Sequence, residues 1–415
     1  MSSLPEDIIV DIFLRLPVKS ILRFRCVCKP WCKLFSGPDF VKMHLKRGVE
    51  KNKFNLMIAD GYLYLVDHDS LSSSLTSSSS SITKCDQVSE IDYPYKTRDY
   101  IVEILGPCNG LLCIISDKDV ICIWNPSTKE YKELPTLEQL EFIPTNLSTT
   151  RITYGFGYNC NIEDYKLVRI ETFYAPDPYG NSSEVMVYSL RSNSWKSIQD
   201  IPYDPSYGGR QPGVLVNGAL HWIATRWIGS KARKVVLVSF DIGDETFKEV
   251  PPPEHFKNKK FHKNKLGSLR NCLNVGVLGG CLCVLCHLYK VIFVDVWVMK
   301  DYGVRESWTK LFTIVQEMVT RPFVFLSLVQ TFDNGEILLQ KSDNALLLYD
   351  MKQGRSRILK IRHIRRSFEV ETYVESLVSP NLCTYKKKLK KKNKNKKKNK
   401  KKNQKNRGGE YLCDT

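Results

Sequence analysis

No run of apolar residues in this sequence is long and clean enough to cross a bilayer. The most apolar stretch, 272–299, is broken by His287, Lys290 and Asp295, and its glycine and β-branched content is that of strands. No membrane association is expected. An export leader is not expected either, because Glu6, Asp7 and Asp11 fall where a signal peptide keeps an uncharged apolar core. Catalytic signatures are missing: there is no GxSxG, no HExxH and no Gly-rich phosphate loop closed by Lys-Ser/Thr. The 7 histidines are scattered, none at helical spacing from another ligand type, and His221 within ALHWI reads as a strand residue. No second cysteine pair stands at zinc spacing from Cys26, Cys28 and Cys32, which read as core or interface thiols. The run CVLCH from Cys283 to His287 matches a haem-attachment pattern, but it lies in a strand-like apolar stretch. The expectation is a chain with no catalytic residue, metal or cofactor, its 14 cysteines reduced and mostly buried, acting in cytoplasm or nucleus.

Net charge is +18, but residues 386–407 alone carry 14 Lys and Arg407 with no acid, which is +15 and leaves +3 for the rest. A nucleic-acid reading therefore rests on the tail only. Residues 386–415 are expected to be disordered, since the lysine run repels itself and cannot bury a core. Its functional readings are nuclear import or salt-sensitive attachment to RNA or acidic surfaces. No aromatic is interleaved in the run, so base stacking is unsupported. Residues 70–81, SLSSSLTSSSSS, read as a flexible loop by composition.

Residues 1–46 read as helical. Pro5 suits a first helical turn, Glu6 and Asp7 favour the positive end of the dipole, and Leu4, Ile8, Ile12 and Leu16 repeat at helical spacing. Ile9 and Phe13 widen that stripe, and Pro17 ends it. A second helix runs through Ile21, Leu22 and Val27, and a third starts at Pro30 with Trp31, Leu34 and Phe35. Pro38 opens a further turn or two. So small a unit carries more large apolar side chains than its own core can hide, so a partner is expected to complete it. The set Leu4-Pro5, Ile12, Leu16-Pro17, Leu22, Val27-Cys28 and Trp31 closely resembles the F-box motif. That resemblance implies docking on a Skp-type adaptor and, through it, on a cullin and a RING protein. It also implies that Leu4, Pro5, Ile8, Ile12, Leu16, Pro17, Leu22, Val27, Cys28 and Trp31 supply the adaptor contact or the packing behind it.

From about residue 54 to 380 the pattern changes to short strands and turns. Asp60-Gly61, Asn109-Gly110, Asn217-Gly218, Gly279-Gly280 and Asn334-Gly335 are hairpin signals whose central positions want positive φ. A second cue, strand then polar turn then aromatic, ends at Tyr131, Trp195, Phe247 and Trp308, with a last copy near 348–358 lacking the aromatic. Recurrence at roughly 50-residue spacing in an all-β context predicts a kelch-like β-propeller of about six blades. The phrases GPCNGLLCI, WNPSTKEYKELP, YGFGYN, VYSLRSNSW and GVLVNGALHWIA resemble the F-box-associated region of plant F-box/kelch-repeat proteins. The implied architecture is α then all-β, and the implied role is substrate-recognition subunit of a Skp–cullin–F-box ubiquitin ligase. An unknown substrate protein would sit on propeller loops such as 175–184, 203–211 and 254–271. The competing expectation is a glycan or RNA reader outside any ligase, using Tyr174, Tyr179, Tyr203, Tyr207, Trp227 or the basic tail.

Overall fold

The computed structural model describes residues 5–76, 81–97, 100–116, 120–137, 149–174, 182–205, 211–228, 232–254, 273–287, 293–315, 326–341, 345–364 and 368–381. The basic tail lies outside them. The chain opens on α1 (Glu6–Leu14), α2 (Val18–Phe24), α3 (Lys29–Phe35) and α4 (Pro38–Glu50). Prolines punctuate the series: Pro5 and Pro17 immediately precede α1 and α2, and Pro38 opens α4. The expected turn or two after Gly37 is a full helix of 13 residues. It persists because Phe40, Val41 and His44 bury one side of it and Arg47 reaches Asp11 of α1 at 3.0 Å. The core of the module is aromatic. Phe13 meets Trp31 and Phe35 edge to face, with centroids 5.0 and 4.9 Å away.

The rest of the chain builds six sheets. The first stretch gives β1 (Asn55–Asp60), β2 (Tyr62–Val66), α5 (His68–Thr76), β3 (Ile82–Cys85) and β4 (Ser89–Glu90). Blade two is β5 (Glu103–Cys108), β6 (Leu111–Ser116), β7 (Val120–Trp124) and β8 (Tyr131–Glu133). Blade three is β9 (Thr149–Asn159), β10 (Asp164–Tyr174), β11 (Ser182–Ser189) and β12 (Ser194–Ile201). Blade four is β13 (Val214–Val216), β14 (Ala219–Ile228), β15 (Ala232–Asp241) and β16 (Thr246–Val250). Blade five is β17 (Leu273–Leu278), β18 (Cys281–His287), β19 (Phe293–Met299) and β20 (Trp308–Val315). Blade six is β21 (Leu326–Thr331), β22 (Glu336–Lys341), β23 (Ala345–Asp350) and β24 (Arg355–Ile361), and β3 adds to its outer edge in parallel. Blade one runs β25-β1-β2-β4, so the last strand, β25 (Glu369–Tyr373), is its innermost and closes the ring. The expected six-bladed propeller is therefore present and closed. No described helix is long and apolar enough to cross a membrane.

Each recurring sequence cue has a place in the blades. Asn109-Gly110, Asn217-Gly218 and Gly279-Gly280 join inner to second strands with both residues at positive φ. At Asn334-Gly335 only the glycine is positive, and the same holds at Asp60-Gly61, which joins the second and third strands of its blade and so is one strand out of phase. The aromatic cue opens the outer strand of blades two to five. Its purpose shows in two tryptophans: Trp195 Nε1 donates to the Pro135 carbonyl and Trp308 Nε1 to the Pro251 carbonyl, each at 2.8 Å, tying a blade to the one before it.

The serine-rich stretch departs from expectation. Up to Thr76 it is the end of α5, not loop, because Leu71 and Leu75 lie one helical turn apart and both are buried. Asp67 Oδ1 accepts from the Ser70 N–H at 2.9 Å and caps its start. Residues 77–80 lie outside the described residues. Of the 11 described cysteines, Cys85, Cys108, Cys113, Cys122, Cys283 and Cys286 are buried, but Cys26, Cys32 and Cys160 are exposed.

Candidate functional site

Antiparallel strands give the propeller two unlike faces. Turns from inner to second strands and from third to outer strands share one face; turns from second to third strands share the other. The helical module sits on the first. Lys42 pairs with Glu163 in the β9–β10 turn. Asn52 Nδ2 donates to the Thr331 carbonyl at 3.2 Å and to Asp333 at 3.0 Å, beside the turn after β21. One apolar cluster runs from Phe13, Ile21, Phe35 and Phe40 into Cys108, Leu111, Leu377 and Val378. The propeller thus completes part of the core for which a partner was expected.

The other side of the module stays open. Ile8, Ile12 and Val27 are 48%, 46% and 63% exposed. Pro5 and Pro17 are exposed, while Leu16, Leu22, Cys28 and Trp31 are half-buried. Leu4 lies outside the described residues. These positions come from α1, the α1–α2 corner and the α2–α3 segment, and nothing among the described residues fully covers them. They divide by depth: Trp31 packs on Phe13 and on Phe24, whose ring centroid is 5.8 Å away, whereas Ile8, Ile12 and Val27 stand clear. Cys26 and Cys32 are exposed beside this surface rather than in the core. Two supports hold α1 in place. His44 Nε2 reaches the Leu16 carbonyl at 2.9 Å, and Asp11, its carboxyl held below the usual range chiefly by Arg15, also accepts from Arg47.

The strand ends that flank the candidate substrate loops lie at the second face. Residues 175–181, 206–210 and 255–271 lie outside the described residues, as do Tyr179 and Tyr207 and the side chains of Tyr174 and Trp227. Tyr203 packs against the core between blades three and four, so it is no free stacking platform. His221 sits in β14, fully buried, its Nε2 2.8 Å from the Tyr302 hydroxyl; burial lowers its pKa to about 4 and keeps it neutral. Cys283 and Cys286 of CVLCH are buried in β18, as a strand reading requires. A channel of about 1530 Å³ runs along the axis between the inner strands, with Val49, Asn52 and Phe54 at the end nearer the helices. Its opposite mouth carries Asp60, Ile101, Glu103 and Glu369. No motif marks this grouping, since its members come from opposite ends of the chain.

Residues 55–391 match the family model of the F-box associated beta propeller domain, and residues 1–43 match that of the F-box domain. Among curated relatives, F-box protein CPR1 of Arabidopsis thaliana is 34% identical over 91% of this chain and 89% of its own length. F-box/kelch-repeat protein At3g23880 of the same plant is 30% identical over 91% of this chain and 96% of its own.

Proposed function

Because this chain belongs to the family of F-box proteins with an F-box associated β-propeller domain, we propose that it is the substrate-recognition subunit of a Skp–cullin–F-box ubiquitin ligase. The observation that carries this reading is the apolar face left open on the F-box after its own core and its propeller contact are complete. Each aliphatic side chain buried there by a Skp-type adaptor would contribute roughly 1.5–3 kcal/mol, so a few anchors suffice for a stable complex. Ile8, Ile12, Leu16, Pro17 and Val27 are the contact residues in this reading, and Leu22, Cys28 and Trp31 the packing behind them. Leu4 and Pro5 extend the contact at the start of α1.

No side chain of this chain does chemistry in the proposal. The F-box occupies one face of a rigid ring, and the opposite face presents a substrate protein, so ubiquitin transfer gains from a raised local concentration of acceptor. Such a subunit would work in cytoplasm or nucleus. The test is co-purification of the Skp-type adaptor and cullin with the intact protein and with an Ile8→Ser, Ile12→Ser, Leu16→Ser, Pro17→Ala variant. Capture by the intact chain and loss in a variant that still unfolds cooperatively supports the reading. Capture that survives the four substitutions overturns it.

A further inference from the structure

The open face of the F-box is bordered by cations that no acid among the described residues claims. Between Asp11 and Asp39 the sequence holds Arg15, Lys19, Arg23, Arg25, Lys29 and Lys33 and not one Asp or Glu. Arg15 is taken, since its Nε donates to Asp11 at 3.0 Å. Lys19 acts electrostatically on Glu375 in the segment after β25, so it too faces an acid. Arg23, Arg25, Lys29 and Lys33 have no side-chain hydrogen bond or ion pair among the described residues. Arg23, Lys29 and Lys33 are exposed and Arg25 is half-buried. They alternate with the contact surface: Val27, 63% exposed, lies between Arg25 and Lys29, and Trp31 lies between Lys29 and Lys33.

Their placement is unfavourable for the F-box on its own. Lys29 is the first residue of α3, where a cation opposes the positive end of the helix dipole, and that first turn holds no acid. Lys29 and Lys33 stand one helical turn apart, a like-charge pair that works against so short a helix. The first turn of α2 has no acid either. Local rules broken without compensation inside the fold point to a partner that supplies it. The start of α1 is of opposite sign. Glu6 and Asp7 are exposed there and have no side-chain partner among the described residues. Ile8 follows these acids directly and Val27 sits among the cations, so the apolar contact has an acidic flank and a basic one.

We propose that the adaptor surface meeting α2 and α3 is acidic, its carboxylates pairing with Arg23, Arg25, Lys29 and Lys33 around an apolar contact at Val27. The apolar side chains supply affinity. The cations speed encounter and fix which way round the adaptor docks, because the reversed pose sets its acids against Glu6 and Asp7. Interleaved Val27 and Trp31 suit a folded protein surface, whereas a nucleic-acid backbone calls for cations without apolar interruption. This inference rests on the receptor reading above and names the chemistry of its partner.

The test measures association and dissociation rates between the full chain and a purified Skp-type adaptor, by biolayer interferometry from about 0.05 to about 0.5 M salt. The parent's association rate should fall about tenfold across that range. An Arg23→Gln, Lys29→Gln, Lys33→Gln variant should associate about tenfold more slowly at the lowest salt and lose most of the salt dependence. Its thermal midpoint should equal or exceed the parent's, because a like-charge pair leaves α3. Val27→Ser should instead speed dissociation and leave the salt dependence as it is. The Lys-rich tail is the same in all three proteins, so the difference between them reads the border alone. Equal association rates for the parent and the glutamine variant at low salt overturn this proposal and leave the receptor reading standing. Failure of the intact chain to bind at any salt overturns the receptor reading, and this inference with it.

Discussion

His44 Nε2 lies 2.9 Å from the carbonyl oxygen of Leu16, so the last F-box helix holds the corner where α1 turns into α2. The ring must donate from Nε2, and its buried Nδ1 has no hydrogen-bond partner among the described residues. Protonating Nδ1 would place a charge in the F-box core, so burial lowers the His44 pKa below its ordinary 6.5. The folded protein then binds fewer protons than the unfolded chain in the window below pH 6.5. Stability from this residue is complete above that pH and is lost as pH falls through the window. Thermal unfolding of the intact chain should show a loss on the order of 1 kcal/mol between about pH 7 and 5 that a His44→Gln variant does not share.

Neighbouring residues on α1 should separate folding from docking. Phe13 is 6% exposed among Phe24, Trp31 and Phe35, whereas Ile12 is 46% exposed. Phe13→Ala should cost about 3–5 kcal/mol of stability. Ile12→Ser should stay within about 0.5 kcal/mol of the parent in stability while weakening adaptor capture severely. Denaturant titration beside an adaptor pull-down reads both. Ile12→Ser that unfolds the chain, or that binds normally, contradicts the assignment of that face.

Ring closure should depend on one amide. Asn125, fully buried at the end of β7, donates from Nδ2 to the Ser376 carbonyl at 3.0 Å and the Val378 carbonyl at 2.7 Å. Its Oδ1 accepts from the Ser127 N–H at 2.8 Å, forming the turn. The segment after β25 is thereby latched to blade two. Gly110 serves the same crossing: its φ is +76°, and a Cβ there would collide with the Ser376 side chain. Asn125→Leu leaves two carbonyls unsatisfied and should cost about 2–4 kcal/mol. Hydrogen exchange should quicken first in β25 and β1. Uniform loss of protection across all blades would refute the latch.

The F-box was legible because Pro5, Pro17, Pro30 and Pro38 punctuate its helices and the apolar spacing between them is helical. The blades were legible because glycine turns recur at near-regular spacing and the turn after the third strand of blades two to five repeats a cue, for whose aromatic Trp195 and Trp308 supply a physical reason. WNPST announced a turn at Asn125 but not a latch, since the carbonyls it holds lie some 250 residues on. The stretch EVETY before the end of β25 has no glycine turn, so closure by the last strand left no mark in the pattern. α5 was hidden by serine content: the two leucines that bury it are outnumbered by residues that favour loops in isolation. The lining of the channel was illegible for another reason. Asp60, Glu103, Glu369 and Glu371 are spread over most of the chain, and only the ring brings them to one opening.

That gathering of acids has a consequence for stability. The Glu371 pKa, raised to about 8 by burial and then by Glu369, lies above its unfolded value of 4.5. Among the described residues that line the channel, the other charged ones are Asp60, Glu103 and Glu369. A raised folded pKa means that the folded state binds the extra proton, so stability from Glu371 is complete below about pH 4.5 and is lost as pH rises toward 8. Glu371 is only half-buried, and solvent screening limits the loss to on the order of 1–3 kcal/mol. Glu371→Gln keeps the shape and removes the titration. The variant should therefore match the parent near pH 5 and exceed it near pH 9, by an amount read from chemical denaturation at the two pH values. A variant no more stable than the parent at the higher pH would mean that Glu371 already has its charge compensated in the folded ring.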